Sequence, residues 1–121
     1  MIVRVVTATV RTERAARFDA LMREQLTSLR TQEGLIYAKL ARRIHNGLEE
    51  VILFEEWRDT SALYRWAGPE LSRPVLMPGS QELVEDVRVT HYEALDMEPE
   101  QWETRPQALD QSPSDGSTQG P

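Results

Sequence analysis

The nine residues Ile2-Val3-Arg4-Val5-Val6-Thr7-Ala8-Thr9-Val10 constrain the fold more than any other stretch of this chain. The run is dominated by β-branched residues and holds neither Gly nor Pro. β-Branched side chains are stiff at χ1 and pack well on a pleated surface, so the run predicts a strand over 2–10. Val3, Val5, Thr7 and Thr9 alternate with Ile2, Arg4, Val6 and Ala8, and both sets are largely apolar. A strand that is apolar on both faces needs cover on both faces. Any architecture for this chain has to supply two covers.

The next segments supply the first cover. Thr12, followed by Glu13, Arg14 and two alanines, opens a helix with Thr12 as the expected N-cap. Phe18, Leu21, Met22, Leu26 and Leu29 recur at three- and four-residue steps and form one apolar stripe. Arg17, Arg23, Glu24 and Arg30 lie opposite. The spacing predicts a helix over 12–32, with Gly34 as its C-terminal cap. Residues 35–43 read as a second strand. Strict alternation puts Leu35, Tyr37, Lys39, Ala41 and Arg43 on one face and Ile36, Ala38, Leu40 and Arg42 on the other. His45-Asn46-Gly47 marks a hairpin turn, because Asn-Gly tolerates the positive φ angles such turns need.

A third strand follows over 51–57, Val51-Ile52-Leu53-Phe54-Glu55-Glu56-Trp57. Asp59 then caps a second helix over 60–68 that carries Ala62, Leu63 and Trp66. Gly68-Pro69, Pro74 and Pro78-Gly79 break the chain into an irregular segment. Residues 82–95 return as the last strand, with Val87, Val89 and His91 on one face and Arg88, Thr90 and Tyr92 on the other. The order β-α-β-β-α-β predicts an α+β domain of ferredoxin-like type, a four-stranded antiparallel sheet with two helices on one face. The second face is still bare. A second copy of the same face is the simplest cover, so a homodimer through the open sheet face is expected.

Composition narrows the remaining choices. A chain of 121 residues suffices for one domain. Residues 1–96 hold 15 acidic and 13 basic side chains, so the expected domain is nearly neutral and has no basic stripe for nucleic acid. Residues 97–121 hold five acidic residues and one arginine, and their only large apolar residues after Met97 are Trp102 and Leu109. That segment is expected to be an acidic, polar, disordered tail, since it cannot offset the entropy of ordering. A short docking peptide is the functional alternative for it. The absence of cysteine removes disulfides, thiolate nucleophiles and thiolate metal sites. The N-terminal run carries a charge at Arg4 and reads as a strand rather than a signal peptide, and no apolar stretch reaches membrane-spanning length. A cytoplasmic protein without a membrane partner is expected.

The segment Phe54-Glu55-Glu56-Trp57-Arg58-Asp59, followed by Ala62-Leu63, resembles the antibiotic biosynthesis monooxygenase superfamily. Members end their third strand in Glu-x-Trp-x-Asp before the second helix. Gly34-Leu35 and the strand and turn after them match as well, and the resemblance spans about residues 1–96. It implies a dimeric α/β barrel, in agreement with the burial argument. It also implies cofactor-independent oxidation of a quinol or another aromatic small molecule by dioxygen. Relatives that degrade haem carry a tryptophan where Trp66 stands, a histidine ten residues on, and an asparagine in strand one. Here those last two places hold Leu76 and Thr7 or Thr9, so haem degradation is disfavoured.

Chemistry of this kind needs a base or hydrogen-bond donor in a dry pocket, not a resident cofactor. His91 is the candidate catalytic residue, as base or orienting group; the structural alternative pairs it with backbone or with Glu93. Trp66, Tyr64, Tyr92, Glu55 and Glu56 are the candidate substrate-binding residues. Trp66 has a plainer role as packing for the second helix. Glu55 and Glu56 point to opposite faces, so one is expected to be buried, as a base with a raised pKa or in a salt bridge with Arg42, Arg43 or Arg88. His45 is expected to be exposed beside the turn, and no His/Asp/Glu set has metal-ligand spacing, so no metal is expected. Pro74-Val75-Leu76-Met77-Pro78 is apolar for a loop and reads either as a lid or as a piece of interface. The competing reading of the whole is a non-catalytic dimeric module that binds a small molecule or a protein.

Overall fold

A computed structural model of the chain describes residues 1–95. The expected tail at 97–121, with Trp102 and Leu109, lies outside the described residues. The elements run β1 (Ile2–Arg11), α1 (Thr12–Leu29), β2 (Leu35–His45), β3 (Leu48–Trp57), α2 (Thr60–Ala67) and β4 (Val84–Glu93). All neighbours in the sheet are antiparallel and the order is β2-β3-β1-β4. This is the expected ferredoxin-like α+β arrangement, and the sheet is open rather than closed into a barrel. β1 lies inside the sheet between β3 and β4, as a strand with two apolar faces should.

The hairpin between β2 and β3 is a two-residue loop. His45 pairs with Leu48, and Asn46 and Gly47 both have positive φ, 53° and 73°. That geometry matches the right-handed twist of the strands on either side. The carbonyl of Gly47 also accepts from the Thr12 backbone N–H at 3.1 Å, which ties the start of α1 to the turn. Thr12 itself is inside the helix. The capping position is Arg11, whose side chain makes no cap bond, so the expected Thr12 cap is not formed. With no connecting loop between β1 and α1, the strand runs straight into the helix.

α1 ends at Leu29, earlier than 32, because Thr31 and Gln32 turn back in i→i+3 bonds to Ser28 and Leu29. Gly34 is therefore not the helix cap but the hinge into β2, at φ 91°. A Cβ there would collide with the Ala62 side chain, so α2 can approach only a glycine. The Gly34 carbonyl accepts from the Arg58 N–H at 2.8 Å. Asp59 caps α2 as expected, its carboxylate accepting from the Ala62 N–H at 2.9 Å. α2 closes at Ala67, with Gly68 at φ 81°.

A bulge at Ile36 changes the face assignment in β2. Leu35 pairs with Trp57 and Tyr37 with Glu56, so Leu35 joins Ala38 and Leu40 under the helices. β2 and β3 are also longer than expected, because the tight turn lets pairing run up to it, and β4 is shorter.

Both helices cover one face. Val6, Ala8, Val10, Val51, Leu53 and Trp57 of the sheet pack there against Phe18, Met22 and Leu29 of α1 and Ala62 and Leu63 of α2. On the other face, Val3, Val5, Ile52 and Phe54 are half-buried, Tyr37 and Tyr92 are exposed, and no helix among the described residues packs there. Among the described residues no helix is long and apolar enough to cross a membrane.

Candidate functional site

One cross-strand row on the helix-covered face concentrates the polar chemistry. Antiparallel register sets Ala38, Glu55, Arg4 and His91 side by side across β2, β3, β1 and β4. Residues directly opposite one another in a sheet have adjacent side chains on the same face. Arg4 is fully buried and Glu55 is 1% exposed, in a face whose core is mostly apolar. Buried charges are expensive unless they are paired and hydrogen-bonded.

The pairing is extensive. Arg4 Nη1 donates to the Leu71 carbonyl at 2.8 Å and Nη2 to the Arg73 carbonyl at 2.8 Å. Arg4 Nη1 also lies 2.9 Å from His91 Nε2. Arg4 Nε is 3.8 Å from Glu55 Oε1, close enough for charge attraction but too far for a hydrogen bond. Glu55 Oε1 instead accepts from the Trp57 indole N–H at 2.9 Å. The guanidinium is thus the hub between a carboxylate, an imidazole and the segment after α2.

Burial dominates the proton affinities. It pushes the Glu55 carboxyl up from its ordinary value, against the Trp57 hydrogen bond and the Arg4 charge. It pulls Arg4 down, with Glu55 opposing. His91 is lowered by burial first and by the Arg4 charge second. His91 is therefore neutral at pH 7. A guanidinium carries only donors, so its contact with Nε2 favours the tautomer in which that nitrogen accepts.

The irregular segment 68–83 lies over this end of the sheet. Arg4 holds it at Leu71 and Arg73, and Gln25 of α1 holds it at Val75, where Nε2 donates to the carbonyl at 2.6 Å. Pro74 to Met77 are half-buried within the single chain, and Leu76 is among them. Thr7 and Thr9 face the open side of the sheet.

The expected site residues are only partly brought together. His91 joins Glu55 through Arg4, and it shares an open depression of about 440 Å3, where the start of β1 meets the end of β4, with Met1, Ile2, Tyr92 and Glu93. Glu56 lies on the opposite sheet face, paired in register with Val3 and Tyr37. Tyr64 is 45% exposed on α2. Trp66 packs partly buried against the core, with its indole N–H buried and unpartnered. Glu55 takes none of the expected ion-pair partners: Arg42 pairs with Asp19 and Glu49, and Arg43 and Arg88 with Glu50. His91 takes Arg4 rather than a backbone group or Glu93. His45 is exposed, and β2 and β4 occupy opposite edges of the sheet.

Two features went unassigned in the sequence. Arg4 is one; the signal for it was a lone charge on a face that otherwise reads Ile2, Val6, Ala8, Val10. The other is a depression of about 250 Å3 between α1 and β2, with Met22, Leu40 and Val51 as its floor and Asp19, Arg23 and Arg42 at its rim. Arg42 donates to Asp19 across that rim at 3.0 Å. Among the described residues no group of three or more His, Asp or Glu side chains is placed to hold a metal ion.

Comparison with known proteins agrees with this architecture. The family model described as antibiotic biosynthesis monooxygenase matches residues 1–73, which include the Glu55-Glu56-Trp57-Arg58-Asp59 motif. Rv0793 from Mycobacterium tuberculosis shares the fold with a TM-score of 0.63 at 23% identity, over 79% of this chain and 96% of that one. PA3566 from Pseudomonas aeruginosa gives 0.62 at 22%, over 78% and 94%. A conserved protein from Methanosarcina mazei gives 0.61 at 21%, over 76% and 91%. No curated protein sequence matches the chain.

Proposed function

The chain belongs to the antibiotic biosynthesis monooxygenase family, and from that premise we propose that it is a cofactor-independent monooxygenase of an aromatic or quinol-type small molecule. The observation that carries the reading is the contact between buried Arg4 and half-buried His91, beside a depression open to solvent. An electron-rich phenol bound there would give up its proton to solvent water at the open mouth of the depression, and its anion would react with dioxygen. The substrate supplies all four electrons. One oxygen atom ends as a ring carbonyl and the other as water.

Within that scheme His91 is an orienting donor rather than a base. Its Nε2 is engaged by Arg4, and a lowered proton affinity makes it a poor proton acceptor. Its Nδ1–H, with the Arg4 charge behind it, suits a phenolate or the oxyanion that forms on reduced oxygen. Tyr92, the next residue of β4, borders the same depression. The working unit is a homodimer through the open sheet face, where Val3, Val5, Ile52 and Phe54 are only half-buried among the described residues.

Oxygen uptake with a panel of quinols, wild type against His91→Ala, tests the proposal. The expected result is turnover in wild type and a loss on the order of 10²–10³-fold in the variant, as for removal of a donor to a developing oxyanion. Equal turnover in both removes His91 from the mechanism. No uptake with any quinol favours the non-catalytic module, a reading that the openness of the depression also suits.

A further inference from the structure

Arg4 lies outside the Glu-x-Trp-x-Asp motif, yet its side chain makes three contacts across the fold. Its guanidinium is fully buried, so none of its donors can turn to water. Nη1 is held in place by the Leu71 carbonyl and Nη2 by the Arg73 carbonyl, which leaves the planar fork one orientation. In that orientation Nη1 sits 2.9 Å from His91 Nε2. The charged groups around the imidazole among the described residues include Arg4 on β1, Glu55 beyond it on β3 and Glu93 on its own strand, and Met1 with the terminal amine lines the same depression. The side chain of Arg73 turns away to pair with Glu70.

We propose that Arg4 is the positioning residue of His91: it fixes Nε2 as an acceptor and so commits Nδ1–H to whatever oxygen occupies the depression. A free histidine interconverts between two neutral tautomers, and only one of them offers Nδ1–H. A guanidinium has no acceptor, so beside it the Nε2–H tautomer would set donor against donor. The same guanidinium holds the 71–73 segment, so the tautomer and the seating of that segment depend on one side chain. This deepens the oxidation proposal and rests on it for the identity of the oxygen, but the tautomer itself needs no substrate.

The test is the nitrogen chemical shifts of His91 in 15N-labelled full-length protein at neutral pH. The chain has two histidines, and His91→Gln assigns the signals by removing one set. The expected spectrum shows a protonated Nδ1 and a bare Nε2. Arg4→Met and Arg4→Lys should both shift the population toward Nε2–H, the Lys variant less, because an ammonium still donates but lacks the fixed fork. A wild-type ring protonated on Nε2 overturns the proposal without any variant, which covers the case in which Arg4→Met does not fold. An unchanged tautomer in a folded Arg4→Met overturns it as well. If the tautomer is as expected while the wild type takes up no oxygen with any quinol, the oxidation reading fails and the pairing stands.

Discussion

Arg4 sits where the pattern Ile2, Val6, Ala8, Val10 would place another aliphatic side chain. Removing one partner of a buried pair leaves the other charge uncompensated, which typically costs about 3–5 kcal/mol. Arg4→Met should therefore lose about that much in denaturant unfolding. Arg4→Met/Glu55→Gln should be less destabilised than Arg4→Met, because a neutral amide still accepts from Trp57 and leaves no buried anion. An equal or larger loss in the double variant would show that Glu55 is not what Arg4 compensates. The folded pKa of Glu55 lies above its ordinary 4.5. Between 4.5 and the folded value the native state binds more protons, so this group's stability contribution is complete below 4.5 and falls as pH rises through the window. The gap between the two variants should accordingly close in acid and widen as pH rises. His91 runs the other way. Its folded pKa is below 6.5, so its contribution is complete above 6.5 and is lost as pH falls through the folded value. If neutral His91 is required for oxidation, the acid limb of kcat/KM lies below pH 6.5. An acid limb above 6.5 would exclude that requirement.

Between β3 and α2, four residues of the motif have local tasks. Glu55 accepts from Trp57, Arg58 N–H seals the chain to Gly34, and Asp59 starts the helix. The motif is thus first a device that seats α2 against the entry to β2. Gly34→Ala meets both a positive φ and the Ala62 methyl group, and should destabilise by more than about 1 kcal/mol. Adding Ala62→Gly should recover the part due to collision and not the part due to φ. No recovery at all in thermal unfolding would mean that the contact carries none of the cost. These local features explain what was legible in the sequence. The hairpin register follows from Asn46-Gly47, because a two-residue loop leaves no freedom in pairing. The capping of α2 by Asp59 follows from side-chain chemistry. The registers of β1 with β3 and with β4 cross helices and the irregular segment, and nothing local sets them. That is why Glu55 and His91 could be suspected singly while the residue between them was missed. The bulge at Ile36 was invisible for the same reason: strict alternation is the only rule a strand pattern offers, and a bulge breaks it.

Among the described residues one sheet face is covered and the other is bare, and the bare face has a definite layout. One row across it holds Tyr37, Glu56, Val3 and Tyr92; the next holds Lys39, Phe54, Val5 and Thr90. A third holds Ala41, Ile52, Thr7 and Arg88, and a fourth holds Arg43, Glu50, Thr9 and Asp86. The apolar centre is thus bordered at one end by both signs of charge, where Glu50 accepts from Arg43 at 2.6 Å and Arg88 lies 3.4 Å from Asp86. A mixed-charge border suits a second copy of the same face, since a two-fold axis brings each sign within reach of the other. It suits a membrane or a nucleic acid poorly, because neither offers both signs in that pattern. The dimer expected on these grounds has a concentration-dependent midpoint: if only the pair is fully stable, the thermal Tm rises with protein concentration. Phe54→Asp puts a charge in the apolar centre without touching the helix-covered core, so it should give a monomer by light scattering and a Tm independent of concentration. Val6→Asp places the same charge under the helices and should abolish folding instead. A wild-type protein that stays monomeric at high micromolar concentration would leave the bare face to another partner and remove the second copy from the account.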